Sequence, residues 1–164
     1  MYGALLMNRK IKIDMDIFLI AFGRDVDFHD TCPRSVFLDL DTGDVLWVYE
    51  EDDDASFEEG ISEEENKRNR EQINDNPERH LEIPGFSHGG HHQILQDFLE
   101  SEWTDNIELW QKAKNAYFGS IGGWIKKVNE PSIEYKYYDY KNLIIQKEAM
   151  KFLDDHDITL INKT

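Results

Sequence analysis

The hydrophobic pattern changes period along this chain, and the changes divide it into elements. Between residues 9 and 13 charged and apolar residues alternate, the period of a half-buried strand. Asp14 then stands at a helix-cap position ahead of the apolar run 15–22, which Gly23 closes. A strand continued through Ile20 is the competing reading of that run. A polar loop with Asp25, Asp27, His29 and Asp30 follows, and then two β-rich runs, 36–40 and 45–49, flank Asp41-Thr42-Gly43-Asp44. This is the pattern of a hairpin, with Phe37 and its neighbouring leucines, Val45, Trp47 and Tyr49 supplying a buried face. A lone hairpin is marginal, so a third strand is expected, and 9–13 is the candidate.

Beyond Tyr49 the polar character deepens. The first part of 50–76 has too little apolar surface to order itself and predicts a bulge from the sheet edge. Ser62 with Glu65 forms a capping box, and 63–73 combines strong helix formers with opposite charges at helical spacing. That predicts an exposed helix with few apolar anchors. Asn76 and Pro77 read as N-cap and first residue of a short helical turn, 77–83. Pro84 and Gly85 then make a turn, and Ser87 caps a helix whose apolar face is Ile94, Leu95, Phe98 and Leu99.

The rest of the chain is helical in pattern. Thr104 or Asp105 caps a helix reaching Tyr117, with Ile107, Trp110, Ala113 and Tyr117 on one face and Gly119 as its end. Ser120 opens a shorter helix packed through Ile121, Trp124, Ile125 and Val128. Pro131 begins a long one with Ile133, Tyr137, Ile144, Met150, Phe152 and Leu153 as core candidates. The fold class is therefore α+β: a small antiparallel hairpin or sheet near the N-terminus and a mostly helical C-terminal half. It reads as one domain over 1–164, with a hairpin part at 9–50, an exposed acidic insertion at 51–76 and a helical part at 77–160.

Composition adds the charge. The net charge is −16, and residues 50–110 hold nineteen Asp and Glu against four Lys and Arg, a net of −15, leaving about −1 for everything else. Such a field repels phosphate backbones, so direct nucleic-acid binding is disfavoured, while a basic protein partner, a cation or imitation of DNA all fit. An acidic surface that only confers solubility fits equally well. The final helix carries Lys136, Lys141, Lys147 and Lys151, a basic face that reads as an intramolecular complement to the acidic middle. One cysteine, Cys32, leaves no intrachain disulfide framework and points to a reducing, cytoplasmic setting. No apolar run is long enough to span a bilayer, and residues 1–6, ahead of Met7, have the look of a start-site extension.

Four colinear segments carry a resemblance. LDLDTGDVLWVYE, PERHLEIPGFSHGGHHQILQDFLESEWT, AYFGSIGGWIKKV and YKYYDYKN with KEAMKFLDDHDI resemble the bacterial uncharacterised protein family UPF0158, over most of the chain from residue 36 to 158. The family's glycine-rich segment is followed by consecutive Phe and Arg residues, where this chain has Gly122, Gly123, Trp124, Ile125, Lys126 and Lys127. Lysine lacks the bidentate fork that arginine offers an anion. The resemblance implies an architecture and no activity.

Candidate chemistry concentrates in His88, His91 and His92. Offsets of three and four place side chains on one helix face, so these imidazoles are candidate ligands of a divalent ion, with Glu82, Asp97 or His80 as the nearest further ligand or base. A helix N-terminus favours the neutral, metal-binding imidazole. Gly89 occupies the place that the glutamate of an HExxH helix would take. Histidines bonded to neighbouring carboxylates and carbonyls are the plainer reading of the same cluster. Cys32 before Pro33, Ser87 before His88, the GSIGG run and the aromatic set Tyr135, Tyr137, Tyr138 and Tyr140 all lack the context of a nucleophile, phosphate loop or base-stacking platform.

Two function classes follow. The favoured one is a non-enzymatic interaction protein, a regulator or inhibitor that binds a basic protein partner, in the manner of nucleic-acid mimicry, and needs no cofactor. Its partner-binding residues are Glu50, Glu51, Asp52, Asp53, Asp54, Glu58, Glu59, Glu63, Glu64 and Glu65. The alternative is a metal-dependent hydrolase or metal-regulated module using His88, His91 and His92 with a divalent metal.

Overall fold

A computed structural model describes residues 8–27, 34–49 and 62–161. Those residues form β1 (Arg9–Ile11), α1 (Met15–Phe22), β2 (Arg34–Asp39), β3 (Val45–Tyr49), α2 (Glu63–Asp75), β4 (His80–Glu82), α3 (His88–Glu100), α4 (Ile107–Asn115), α5 (Ile121–Val128), α6 (Pro131–Asp155) and β5 (Ile158–Leu160). The α+β class expected from the pattern is the class observed, with a small antiparallel sheet ahead of a helical half.

The hairpin forms as read, β2 on β3 with Val36 opposite Trp47 and Leu38 opposite Val45. The third strand is different from the expected one. β4 pairs antiparallel with the other edge of β2, giving the order β3-β2-β4, while β1 pairs in parallel with β5, Arg9 opposite Ile158. Residues 77–79 make a single turn, with the Arg79 N–H donating to the Asn76 carbonyl at 3.1 Å, and the strand His80–Glu82 follows where the helical turn was expected to continue. Asn76 is the C-cap of α2, its N–H donating to the carbonyls of Gln72 and Ile73, so the chain leaves a helix there. What draws the following residues alongside β2 is one buried carboxylate.

Asp39 ends β2 with 1% of its surface exposed. Its Oδ1 accepts from the Asp41 N–H at 2.9 Å and the Thr42 N–H at 3.3 Å, which fixes the hairpin turn. Arg79, at the foot of β4, donates Nε to Oδ1 at 2.8 Å and Nη2 to Oδ2 at 2.7 Å, a bidentate pair. Gln72 of α2 donates to Oδ2 at 3.1 Å and sits 3.0 Å from the buried His80 ring. The tip of the turn needs Gly43, whose φ is +80° and where a Cβ would lie 1.8 Å from the Lys12 carbonyl oxygen. The hairpin, α2, β4 and the segment after β1 are thus tied at one corner.

α2 confirms the few apolar anchors expected of it, and the structure shows what replaces them. Ser62 caps it by accepting from the Glu65 N–H. The Asn66 side chain, 7% exposed, accepts from the Tyr49 N–H at 2.8 Å and donates to the Tyr49 carbonyl at 3.1 Å. Asn69 donates to the Trp47 carbonyl. Amides at positions 66, 69 and 72 so occupy polar groups along the hairpin, which covers an edge that would otherwise be open to pairing.

Two apolar clusters lie beneath. The first gathers Ile11, Ile13, Phe18, Phe22, Val36, Leu38, Ile83, Ile145, Ala149, Leu153 and Ile158; the second gathers Leu95, Phe98, Leu99, Ala113, Trp124, Val128, Ile133 and Tyr137. α6 belongs to both. Its buried residues are Ile133, Tyr137, Ile145, Ala149 and Leu153, so Ile145 and Ala149 take the places expected of Ile144 and Met150, and Met150 is 42% exposed. α4 is capped by Asn106 instead of Thr104 or Asp105, because the Thr104 hydroxyl accepts from the Asn106 N–H and delays the helix. Ile107, expected on the packed face, is 73% exposed.

Burial acts to raise the Asp39 pKa, but the hydrogen bonds from Arg79 and from the turn outweigh it and hold the carboxyl well below its ordinary value of 3.8. A depressed carboxylate contributes stability that is fully present above that ordinary value and is lost as pH falls through the folded one. Asp39→Asn is expected to lower unfolding free energy at pH 7 by about 2–3 kcal/mol. Its deficit against the parent protein should shrink as pH drops below 4, measured by denaturant melts across pH. A deficit that is constant from pH 7 to pH 2 would refute the charge-based account.

Candidate functional site

The chain after α1 delivers the first part of the site. Gly23 ends the helix, and residues 24–27 run beside 83–88 through Val26 N–H to the Phe86 carbonyl and Phe86 N–H to the Arg24 carbonyl, both 2.9 Å. Arg24 fastens this crossing, donating to the Ala21 carbonyl at 2.7 Å and the Ile83 carbonyl at 2.8 Å. Gly85, φ +68°, makes the turn, with the Val26 side chain 2.6 Å from where a Cβ would be. Two carboxylates are thereby set at the N-terminus of α3. Asp27 accepts from the His88 N–H at 3.0 Å, where negative charge is favoured by the helix dipole, and Asp25 accepts from His88 Nδ1 at 2.9 Å.

The three histidines then divide. His88 and His92, one turn apart on α3, bring their Nε2 atoms to 3.0 Å, and His92 Nδ1 is hydrogen-bonded to the Tyr117 hydroxyl beyond the end of α4. His91 stays out of this pair, 5% exposed, with its ring against Phe86 and, among the described residues, its Nε2 without a hydrogen-bond partner. Burial lowers the His91 pKa and Lys141 adds to that, against the Asp25 carboxylate and a hydrogen bond with the Arg24 backbone, so the neutral ring is favoured. Among the described residues no group of three or more His, Cys, Asp or Glu is placed to hold an ion. Of the expected three-histidine ligand set, the four-residue offset brings His88 and His92 together, while His91 is buried beside Phe86. Nor do Glu82, Asp97 and His80 join them. His80 is bound into the Asp39 corner, Asp97 accepts from Gln93, and Glu82 is exposed on β4.

These side chains line a cavity of about 600 Å³, bounded by Gly23, Asp25, the three histidines, residues 119–122 and Lys141. Ser120 caps α5 by accepting from the Gly123 N–H, so the start of that helix forms one wall. Lys141 forms another. It stands at four-residue spacing between Tyr137 and Ile145, in a row that otherwise reads Ile133, Tyr137, Ile145, Ala149 and Leu153, all buried and all apolar. Burial lowers its pKa against the pull of Asp25, and among the described residues it makes no hydrogen bond or ion pair. The cavity sits where the two apolar clusters meet.

With both rings neutral, one set of tautomers satisfies every bond of the site. Asp25 is an acceptor, so His88 carries its proton on Nδ1 and accepts at Nε2; His92 then donates from Nε2 and accepts at Nδ1 from the Tyr117 hydroxyl. The chain Tyr117–His92–His88–Asp25 is closed, with every donor facing an acceptor. Sequence reasoning reached the two histidines but assigned Asp25 to a solvated loop, Tyr117 to a packed face and Lys141 to a basic surface. The four-residue row on α6 was the available signal for Lys141.

Of the acidic partner-binding residues, Glu50, Glu51, Asp52, Asp53, Asp54, Glu58 and Glu59 lie outside the described residues. Glu63, Glu64 and Glu65 are exposed on the first turn of α2. No family model, curated protein or solved structure matches this chain. The likeness to UPF0158 rests on the four colinear segments alone.

A lysine in an apolar row costs stability, because its head must be kept near solvent while its neighbours pack. Lys141→Met keeps the length of the stem and removes the charge. It is expected to raise unfolding free energy by about 1 kcal/mol, a gain of about 2–4 °C in a thermal melt. A lower melting temperature would mean that the ammonium group holds the fold together.

Proposed function

We propose that this protein is a non-enzymatic interaction protein whose acidic middle docks a basic protein surface, acting as a regulator or inhibitor that competes with nucleic acid for that surface. The observation that carries this reading is the segregation of charge, −15 within residues 50–110 against about −1 elsewhere. Three features of the fold support it. Glu63, Glu64 and Glu65 face solvent on a helix that Asn66, Asn69 and Gln72 fasten to the hairpin and its turn, so their position is fixed before a partner arrives. Among the described residues Glu100, with Lys114 at 2.8 Å, is the one acid of the stretch in an ion pair. The basic face of α6 does not neutralise the stretch as expected: Lys136 donates to the Trp103 carbonyl, and Lys136, Lys141, Lys147 and Lys151 make no ion pair among the described residues.

No helix among the described residues is long and apolar enough to cross a membrane. A reducing, cytoplasmic setting belongs to the same reading and rests on the single cysteine. So does membership of UPF0158, which would give a family context without a chemistry.

Attraction between opposite surface charges weakens as the screening length falls from about 10 Å at 0.1 M salt to about 3 Å at 1 M. An arginine-rich fluorescent peptide is expected to bind the protein at low salt and to lose at least about tenfold in affinity by 0.5 M salt. The triple substitution E63Q, E64Q and E65Q should weaken binding at low salt, and double-stranded DNA should draw the peptide away. Binding indifferent to both salt and the substitutions would overturn the reading.

A further inference from the structure

We propose that His88 and His92 chelate one divalent transition-metal ion through their Nε2 atoms, with Asp25 and Tyr117 as the outer partners that hold the two rings. The inference goes beyond the acidic-surface reading and does not depend on it.

The geometry is that of a pair built to share one atom. A four-residue offset puts both rings on the same side of α3, with centroids 4.5 Å apart and planes at 74°. Their Nε2 atoms face each other at 3.0 Å. A tetrahedral ion with bonds of about 2.0–2.1 Å to imidazole nitrogen separates its ligands by about 3.3 Å, so the rings need to part by only about 0.3 Å to admit it. Two facing ring nitrogens can share a proton or a cation and nothing else.

The remaining nitrogens are engaged in the way that ligating histidines require. A metal-bound imidazole carries its proton on the other nitrogen and gives it to a carboxylate, carbonyl or similar acceptor, which fixes the tautomer and strengthens the ligand. His88 already does this with Asp25. His92 needs one rearrangement: its proton moves from Nε2 to Nδ1, and the Tyr117 hydroxyl, now bonded to that nitrogen as a donor, turns to accept. No proton leaves the site and none is added. A hydrogen bond between two histidines beside solvent, His88 being 59% exposed, has no need of a carboxylate at one end and a phenol at the other.

The rest of the coordination sphere is open. Only two protein ligands converge, so the other positions face the cavity and fall to water or to an anionic donor. Across that space stand the ammonium of Lys141 and the first turn of α5, both complementary to an anion and neither a competitor for the metal. Imidazole without thiolate selects zinc, nickel, cobalt or copper over magnesium and calcium. His91 lies outside the chelate, buried against Phe86.

Calorimetric titration of the full chain, free of any affinity tag, with Zn²⁺ and with Ni²⁺ tests this directly. The expected result is one ion per chain, undisturbed by excess Mg²⁺ or Ca²⁺. His88→Ala and His92→Ala should each cost at least about tenfold in affinity, and Asp25→Asn and Tyr117→Phe about tenfold or less, the lower part of the range for outer partners. His156→Ala, at an exposed histidine on the far end of α6, should bind as the parent does. Nitrogen-15 spectra of the imidazoles separate positioning from mere structural damage, since the metal-bound form should show both rings protonated at Nδ1. Circular dichroism confirms that each variant is folded. Absence of stoichiometric binding, or binding that survives in the folded His88→Ala/His92→Ala double variant, would overturn the proposal. Asp25→Asn and Tyr117→Phe with unchanged affinity and unchanged tautomers would overturn the role given to the outer partners.

Discussion

α6 is the constraint on which the rest of the molecule depends. One helix of 25 residues serves both apolar clusters, and it does so through a row at four-residue spacing. With 3.6 residues per turn, each step of four advances about 40° around the axis. From Ile133 to Leu153 the row therefore winds through about 200°, so its first members face one cluster and its last members face the other side. Ile133 and Tyr137 join Phe98 and Trp124, while Ile145, Ala149 and Leu153 join Phe18, Phe22 and Val36. A row at alternating three and four would have kept one face and could have served only one cluster. Lys141 falls midway through that winding, where neither cluster reaches, and the cavity opens there.

The Asp39 corner plays the matching role for the sheet. Its carboxylate spends its acceptor capacity on the hairpin turn, on Arg79 and on Gln72, and so joins a turn, a strand and a helix that share little apolar surface. The arrangement explains why α2 can be so polar and still be positioned. An acidic helix of this composition would be marginal in isolation. It is ordered here by amide side chains bonded to the hairpin backbone, which leaves its glutamates free for solvent or for a partner.

What the sequence disclosed was local, and what it concealed was long-range. Caps at Asp14, Ser62, Ser87 and Ser120, the turn at Gly43 and the proline at the head of α6 each act within a few residues, and each element they mark is present. β4 was misread because Asn76-Pro77 is a sound local signal for a helix start, while the force that extends the chain comes from Asp39, some forty residues earlier. β1 was placed in the wrong sheet for the same reason: its partner is β5, and three-residue strands carry no pattern that names their neighbour. On α6 the choice of Ile144 and Met150 followed residue type, whereas burial followed the row of four. Ala149 is buried because of where it stands.

The candidate site shows the same division in sharper form. His88 and His92 were legible because their relation is helical, and Asp25 and Tyr117 were not, because each reaches α3 from a different element. Asp25 comes from the end of α1, which packs in the first cluster, and Tyr117 from the end of α4, which packs in the second. The polar chain through the two histidines thus spans the seam between the clusters. Its geometry is set by both at once, so the rings meet at 3.0 Å only when each cluster has positioned its own side. Polar groups at such a seam are costly unless each is paired, and here every donor has its acceptor. Three groups around the same space depart from that rule. Among the described residues Lys141 is unpaired and His91 Nε2 is buried without a partner, and the open side of the histidine pair faces the cavity. Among the described residues the Trp103 indole N–H and the Tyr137 hydroxyl are also buried without a partner, but neither lines this cavity, where a lysine, an imidazole and a histidine pair meet in one space.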